Sequence, residues 1–559
     1  MTQTLRGAET LRGADIVVRT LERAGHTTIF TLSGNHIMSI FDAAIETTLD
    51  LVHTRHEAAA VHAADAFGRL TGRPGIALVT GGPGHANATA ALMTALAQES
   101  PLVLLSGHTE TTQLGRGGFQ ELRQAEMAAP VAKASWMATD AARFGMDVAR
   151  AIRIATSGRP GPVHLSLPSD LLDARVAADA VAWPDASAQG ADFATPPLGL
   201  ADAAADAVLA LVAGAARPLL IAGPHLANRS GRDLLARIEA ATNLPTCIME
   251  SPRGFADATL GAFAELVARC DLIVLLGKAL DFTLKFGAAP GVDPACRFVI
   301  LDPDGAILDR AGREVGPRLA FGCIADTHPA GEALIRRAAG HARSGAAWLQ
   351  EARSHFTDRP ASWATLASQT PDKLHAIEVF RALKPYVEHH PDTVLICDGG
   401  EFAQWAQGVL PVVPRRMING VAGSIGSSLP MALGARMVER VAPVFAVLGD
   451  GTFGFHMAEF ETAVRRNLPF VAIVGTDARW NAEYNLQVRD YGANRAVGCE
   501  LTAARYDLVV TALGGHGELV RRADEMPGAI ERALASGKPA CINVMIESIP
   551  APIVRRASR

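Results

Sequence analysis

The sequence predicts an α/β protein built from three doubly wound, parallel-sheet domains. Short Val/Ile/Leu-rich runs alternate with Ala-rich helical periods along the chain, the pattern of strands covered by helices on both faces. At 559 residues the chain exceeds what one hydrophobic core supports, so three or four domains are expected. With 49% apolar and only 19% charged residues, each domain can bury a core of its own.

In the first block, from about residue 14 to 175, Asp15 is expected to cap a helix running to Ala24. Strands are expected at 28–32, 51–54, 76–80 and 102–106, with a helix at 57–70 after the second of them. Residues 183–198, rich in Pro, Gly, Ser, Ala and Asp, read as a linker. The second block has strands at 218–222, 246–249, 272–276 and 298–301, and a charged helical connector follows it to about 370. The third has strands at 393–397, 444–448, 470–474 and 541–545. The expected domains are 1–180, 199–340 and 371–559.

A net charge of −5 and a near-neutral pI give no electrostatic case for nucleic acid or a membrane surface. The seven cysteines form no CxxC pair and mostly sit in or beside apolar runs, which predicts buried thiols in a reducing cytosol. No apolar stretch has spanning length, and the first fifteen residues lack a signal-peptide core. A soluble, cytoplasmic protein is expected.

Two apolar runs in the third block end in acids. Residues 443–448 lead into Gly449-Asp450-Gly451-Thr452, and 469–474 lead into Gly475-Thr476-Asp477, with a helix expected over 456–466 between them. Two strands therefore deliver two carboxylates to the carboxyl edge of one sheet, where ligands of open parallel sheets bind. The flanking glycines let backbone N–H groups approach a phosphate, and the paired oxygens suit Mg²⁺ held through substrate phosphates. Glu57 begins a helix directly after a strand, a position the helix dipole favours on its own. The apolar residues 58–61 behind it are expected to raise its pKa. Taken singly, His36 is a hydrogen-bonded histidine after a strand and 423–426 is an ordinary helix start. No strand is followed by G-x-G-x-x-G with an acid about twenty residues on, which disfavours a dinucleotide oxidoreductase.

The spacing from Gly449-Asp450-Gly451 to Thr476-Asp477-Ala478-Arg479-Trp480-Asn481 resembles the signature of thiamine-diphosphate (ThDP) enzymes, and further motifs resemble the acetolactate-synthase-like family along the whole chain. The resemblance implies a pyrimidine-binding first domain, a central domain and a diphosphate-binding third domain. It implies that Glu57, in Arg55-His56-Glu57, activates the cofactor from one domain, while Asp450, Asp477 and the main-chain carbonyl of Arg479 hold Mg²⁺ in another. In Gly423-Ser424-Ile425-Gly426, Ile425 corresponds to the apolar prop beneath the bent cofactor and the Gly423 carbonyl to an acceptor for its amino group. Gly84 and Asn87 fall in a GPG-x-x-N loop. Gln120 lies in a Phe-Gln-Glu segment whose glutamine points at the reacting centre. Gly399, Gly400 and Glu401 fit a loop that contacts the diphosphate, and Lys133 stands where the family carries a lysine, although it also reads as an exposed surface residue. Arg479, Trp480, Asn481 and Glu483 follow the metal loop and would line the substrate side, Trp480 reading equally as packing.

His36 corresponds to a histidine near the substrate in benzaldehyde lyase and its relatives, and 539–544 is also similar to them. Asp477-Ala478-x-Trp480 and Leu280-Asp281-Phe282 look most like the family members that cleave 2-hydroxyacyl-CoA. The implied activity is a ThDP- and Mg²⁺-dependent carbon–carbon lyase or carboligase acting next to a carbonyl. Its substrate would be a 2-hydroxyacyl-CoA, a 2-hydroxyketone or a 2-oxo acid, with Glu57, His36 and Gln120 catalytic. Acetolactate synthesis or 2-oxo acid decarboxylation is the alternative, and a non-catalytic ThDP-binding paralogue is the alternative of another class. The middle block is short between Pro252 and Asp271, where true acetolactate synthases have a longer insertion, so FAD is not expected. In the family the site forms between two chains, which implies a homodimer at minimum and commonly a homotetramer. Arg555, Arg556 and Arg559 would meet a CoA phosphate or form an exposed basic tail.

Overall fold

A computed structural model describes residues 10–185, 187 and 192–556; Arg559, the first nine residues and part of the expected linker lie outside the described residues. The chain forms two compact units, Met1–Pro196 and Pro197–Arg559.

The first unit contains strands β1 (Thr10–Arg12), β2 (Thr28–Thr31), β3 (Asp50–His53), β4 (Gly75–Val79), β5 (Leu102–His108), β6 (Ala134–Met137), β7 (Pro162–Pro168) and β8 (Arg175–Ala177). Six of them form a parallel sheet in the order β3-β2-β4-β5-β7-β6, and β1 pairs antiparallel with β8. The helix Gly13–Arg23 is not capped by Asp15 as expected. Strand β1 runs straight into the helix, so Arg12 is the N-cap and Asp15 stands at the third position. There the Asp15 carboxylate accepts from the Arg12 N–H at 2.8 Å and satisfies a donor at the helix start. Strand β7 is fully buried yet carries His164 and Ser166, whose polarity hides it in the sequence.

The second unit holds two sheets. Strands β9 (Pro218–Ala222), β10 (Thr246–Ile248), β11 (Leu272–Leu276), β12 (Arg297–Asp302) and β13 (Leu319–Ile324) form a parallel sheet in the order β10-β9-β11-β12-β13. Strands β14 (Val394–Asp398), β15 (Arg415–Ile418), β16 (Val444–Gly449), β17 (Val471–Thr476), β18 (His516–Val520) and β19 (Ala540–Met545) form another, in the order β15-β14-β16-β17-β19-β18. Counted within their own sheets, the strands of the first and last sheets both follow the order 2-1-3-4-6-5. The order reverses between β2 and β4 in one and between β14 and β16 in the other, the position that opens a ligand crevice at the carboxyl ends of the strands.

In the last sheet, Gly449 pairs opposite Gly475, so β16 and β17 end level and release their loops at the same edge. Gly475 lies under the Phe402 ring, where an added Cβ would come within 2.6 Å, and this seats the helix Glu401–Val409 against β17. The single helix expected over 456–466 is two: Asp450–His456 begins at the acid itself, and Glu459–Arg465 follows after a break at Met457-Ala458. Among the described residues no helix is long and apolar enough to cross a membrane.

Candidate functional site

The loops leaving β14, β16 and β17 line one cleft in the second unit. Gly399, Gly400 and Glu401 follow β14, Asp450–Thr452 follow β16, and Asp477–Asn481 follow β17. Gly423 and Ile425, from the turn after β15, line the same cleft, as do Pro252 and Arg253 of the neighbouring block. The long-range contribution of Pro252 and Arg253 has no local signal in the sequence.

Asp450 is 2% exposed. Its Oδ1 accepts from the Gly451 N–H at 2.9 Å, and its Oδ2 accepts from the Ala478 N–H at 2.8 Å, tying the two loops together. Ala478 takes a left-handed conformation, φ +61°, to present that N–H. The loop is held on its other side by the Trp480 N–H donating to the Cys499 carbonyl at 2.7 Å and the Leu501 N–H donating to the Ala478 carbonyl at 2.8 Å. Burial pushes the Asp450 carboxyl up to about 6, against the N–H groups that favour its ionised form. Asp477 is pushed up to about 7, first by burial and then by the charge of Asp450.

Two buried carboxylates with raised pKa values, that of Asp477 raised in part by the charge of Asp450, form a site suited to a cation. Among the described residues no group of three or more His, Cys, Asp or Glu side chains could hold a metal ion. Any cation here would therefore draw its remaining ligands from main-chain carbonyls, water and a bound phosphate, the habit of Mg²⁺. An added Cβ at Gly449 would meet nothing within 4 Å, which leaves the backbone of the first loop open to the cleft. The residues present fit a metal–diphosphate group.

Neighbouring side chains brace the cleft. Asp398, fully buried, accepts through Oδ2 from the N–H groups of Gly426 (3.1 Å) and Ser428 (2.8 Å), fixing the turn that holds Ile425 half-buried at the wall. Gly451 lies under the Trp480 ring, which an added Cβ would approach to 2.6 Å. Thr452 packs its hydroxyl against Gly399, 2.4 Å from where a Cβ would stand. The Glu401 carboxylate is taken up by Arg253 at 3.0 Å and by the Ala551 N–H at 2.7 Å, so it tethers the cleft to its surroundings. Asn481 donates to the Ile549 carbonyl at 2.7 Å and accepts from Ser548 at 2.7 Å, anchoring the C-terminal segment. The Arg479 guanidinium lies 4.0 Å over the Tyr484 ring.

In the first unit a second group gathers at the carboxyl ends of β2, β3 and β4. Glu57 opens the helix Glu57–Thr71, and its half-buried carboxylate accepts from Asn87 Nδ2 at 3.0 Å. Gly84 lies beside it, its virtual Cβ 3.4 Å from Glu57 Oε1. His36 is 4% exposed, its Nδ1 3.2 Å from the Thr80 hydroxyl and its ring stacked on Phe119 at 5.9 Å. Burial lowers its pKa. Gln120 adopts φ +56° and rests its backbone on Gly82, and Phe119 is 64% exposed. The structure thus brings Glu57 to Gly84 and Asn87, and His36 to the Phe119-Gln120 segment.

Gln124, unforeseen in the sequence, is 1% exposed and joins three strand ends. It accepts from the Gly82 N–H at 2.8 Å and donates to the Gly107 carbonyl at 3.0 Å and to Ser166 at 2.9 Å. Two surface expectations are corrected. Lys133 is half-buried, and its ammonium donates to the carbonyls of Ile154 (2.5 Å) and Ser157 (2.6 Å) at the end of the helix Phe144–Thr156, where a cation complements the helix dipole. Arg556 is no free tail: its N–H donates to Glu265 at 3.2 Å and its guanidinium lies 3.5 Å from Asp358.

Residues 11–127 match the family model of the thiamine pyrophosphate enzyme N-terminal TPP binding domain, and residues 398–544 match that of its C-terminal TPP binding domain. An acetolactate synthase large subunit of Mycobacterium tuberculosis is 31% identical over 97% of this chain and 96% of its own length. A 2-hydroxyacyl-CoA lyase 2 of Danio rerio is 29% identical over 96% of this chain and 91% of its own. An oxalyl-CoA decarboxylase of Escherichia coli is 27% identical over 96% and 95%.

Proposed function

The chain belongs to the thiamine pyrophosphate enzymes, and from that premise we propose that it is a ThDP- and Mg²⁺-dependent lyase or carboligase acting on the carbon–carbon bond next to a carbonyl. The observation that carries the reading is the Asp450–Asp477 pair at the switch-point cleft, braced by glycine loops that leave room for a diphosphate. In this reading 371–559 binds the diphosphate, 1–180 binds the pyrimidine and 199–340 is the central domain. Asp450, Asp477 and the Arg479 carbonyl hold Mg²⁺.

Bound ThDP supplies a carbon nucleophile and an electron sink for the bond being broken. Glu57, oriented by Asn87, would hold the pyrimidine ring and supply it with a proton-exchanging carboxyl, and Ile425 would pack against the cofactor. His36, stacked on Phe119, and the adjacent Gln120 would orient the substrate carbonyl and relay a proton to or from its oxygen. The cleft of about 210 Å³ is smaller than the roughly 300–1,000 Å³ usual for small-molecule sites, which supports completion by a partner chain in a homodimer or homotetramer. Seven unpaired cysteines, six of them buried, support a cytoplasmic enzyme.

The proposed substrates are a 2-hydroxyacyl-CoA, a 2-hydroxyketone or a 2-oxo acid. Acetolactate synthesis is the second reading, favoured by the 31% identity to the mycobacterial synthase. Incubating the holoenzyme with benzoin, pyruvate and a 2-hydroxyacyl-CoA in parallel, with products identified by mass spectrometry, separates the two. Aldehyde release from benzoin or the thioester supports the lyase, and acetolactate from pyruvate supports the synthase. Turnover of none removes both. Glu57→Gln tests the proton role: a fall in turnover smaller than about tenfold, the low end of acid–base contributions, removes it.

A further inference from the structure

A second cavity, of about 490 Å³, lies in the second unit away from the cleft. The edge strands β10 and β15 both line it. Three guanidinium groups, those of Arg232, Arg359 and Arg416, are in its wall, and Lys384 stands at the rim beside Glu388 at 3.7 Å. Arg416 is 4% exposed; it donates to Glu250 at 2.5 Å and to the Thr259 hydroxyl at 2.8 Å, while its Nε has no hydrogen-bond partner. Arg232 lies 3.6 Å from the same Glu250 carboxylate, and its buried Nε and Nη2 have no hydrogen-bond partner either. Arg359 is satisfied by carbonyls, including those of Gly408 at 2.8 Å and Thr259 at 3.2 Å.

Glu250 is shared between Arg232 and Arg416, and Asp257 and Asp358 stand near Arg359. The excess is of donors rather than of charge: Arg232 Nε and Nη2 and Arg416 Nε lack a hydrogen-bond partner, against one unpartnered acid oxygen, Asp257 Oδ2. Buried donors without acceptors cost about 1–3 kcal/mol each, more when charged, so a site with several of them calls for an acceptor.

We propose that this cavity binds a small multivalent anion, a phosphate or carboxylate compound, between Arg232 and Arg416. Guanidinium groups recognise either class through paired N–H···O bonds, and the volume lies within the range of small-molecule sites. The cluster is close in sequence to the cleft: Glu250 precedes Pro252 by two residues, and Arg416 precedes Asn419 by three, and both Pro252 and Asn419 line the cleft. The site is separate from the ThDP reading and stands or falls without it.

Isothermal titration of the full-length protein, saturated with ThDP and Mg²⁺ so that the diphosphate cleft is filled, tests the proposal with inorganic phosphate, glucose 6-phosphate and succinate. Saturable binding of at least one, at one per chain and with a millimolar or tighter constant, is expected. Phosphate compounds alone, or succinate alone, would identify the source. Arg232→Met is expected to weaken binding at least tenfold, the loss of one charge-assisted contact. Lys384→Gln, at the exposed rim, gives a second reading that does not disturb the buried pair, with weakening of about threefold. No binding of any of the three, or binding that neither substitution changes, overturns the proposal.

Discussion

Asp450 and Ala478, twenty-eight residues apart, are joined by a 2.8 Å hydrogen bond from the Ala478 N–H to Asp450 Oδ2. One acid therefore does two jobs: it offers charge to the cleft and sets the course of the loop that carries the second acid. Ala478 sits at φ +61° to make the bond, a conformation that costs a non-glycine residue energy and persists only where its surroundings enforce it.

Replacing Asp450 by Asn keeps the shape and removes the charge. The dissociation constant for Mg²⁺–ThDP is expected to rise about 10- to 100-fold, the equivalent of one charge-assisted interaction of roughly 1.5–3 kcal/mol. Calorimetric titration reads it, with circular dichroism to verify the fold. An unchanged constant would remove Asp450 from the metal site.

The two raised acids set a pH dependence. Both folded pKa values, about 6 for Asp450 and about 7 for Asp477, lie above the ordinary 3.8, so the folded apo-protein holds these protons more tightly than the unfolded chain. Their contribution to stability is present in full below about pH 4 and is lost as the pH rises through 6 to 7. Mg²⁺ affinity runs the other way, climbing across pH 5 to 7 by up to about tenfold per unit for each proton displaced, then levelling. Mg²⁺ titrations at pH 5.5, 6.5 and 8 measure it. Asp477→Asn, which removes the mutual repulsion, is expected to flatten the upper part of that curve and raise the melting temperature of the apo-protein at pH 8.

Gly451→Ala tests the contact with Trp480. In a helix alanine is favoured over glycine by about 1 kcal/mol, so a loss of stability would come from the ring 2.6 Å away. A net destabilisation of about 1–3 kcal/mol is expected for this overpacking. Adding Trp480→Ala should recover more than half of it, and thermal melts of the four proteins of this double-mutant cycle give the coupling.

Gln124→Met leaves the Gly82 N–H, the Gly107 carbonyl and the Ser166 hydroxyl short of a partner. A destabilisation of about 3 kcal/mol or more is expected from such buried groups. Urea unfolding measures it, and a loss below about 1 kcal/mol would mean that water replaces the amide.

The fold class was legible because central strands of parallel sheets are buried on both faces and appear as apolar runs. The strands that lack a continuous apolar run are chiefly edge strands: β6, β13, β15 and β18 each end a sheet, and their mixed sequences, such as Arg415-Arg416-Met417-Ile418, follow from having one side uncovered. Asp450 and Asp477 were legible because each follows a strand directly, whereas Glu57 stood out only through the resemblance carried by Arg55-His56-Glu57. Gln124 was not, because its partners come from residues 17 to 42 positions away and nothing in its own neighbourhood marks it. Glu401 carried the right motif, but its carboxylate is engaged by Arg253 and Ala551, contacts that depend on how distant segments pack.

The first and last sheets share one winding plan and one reversal point, so each opens a crevice at the same place relative to its own strands. One crevice carries the loops bearing Asp450 and Asp477, and the other carries the helix start bearing Glu57. Corresponding strand ends of the two sheets are therefore matched positions at which loops could be exchanged in redesign.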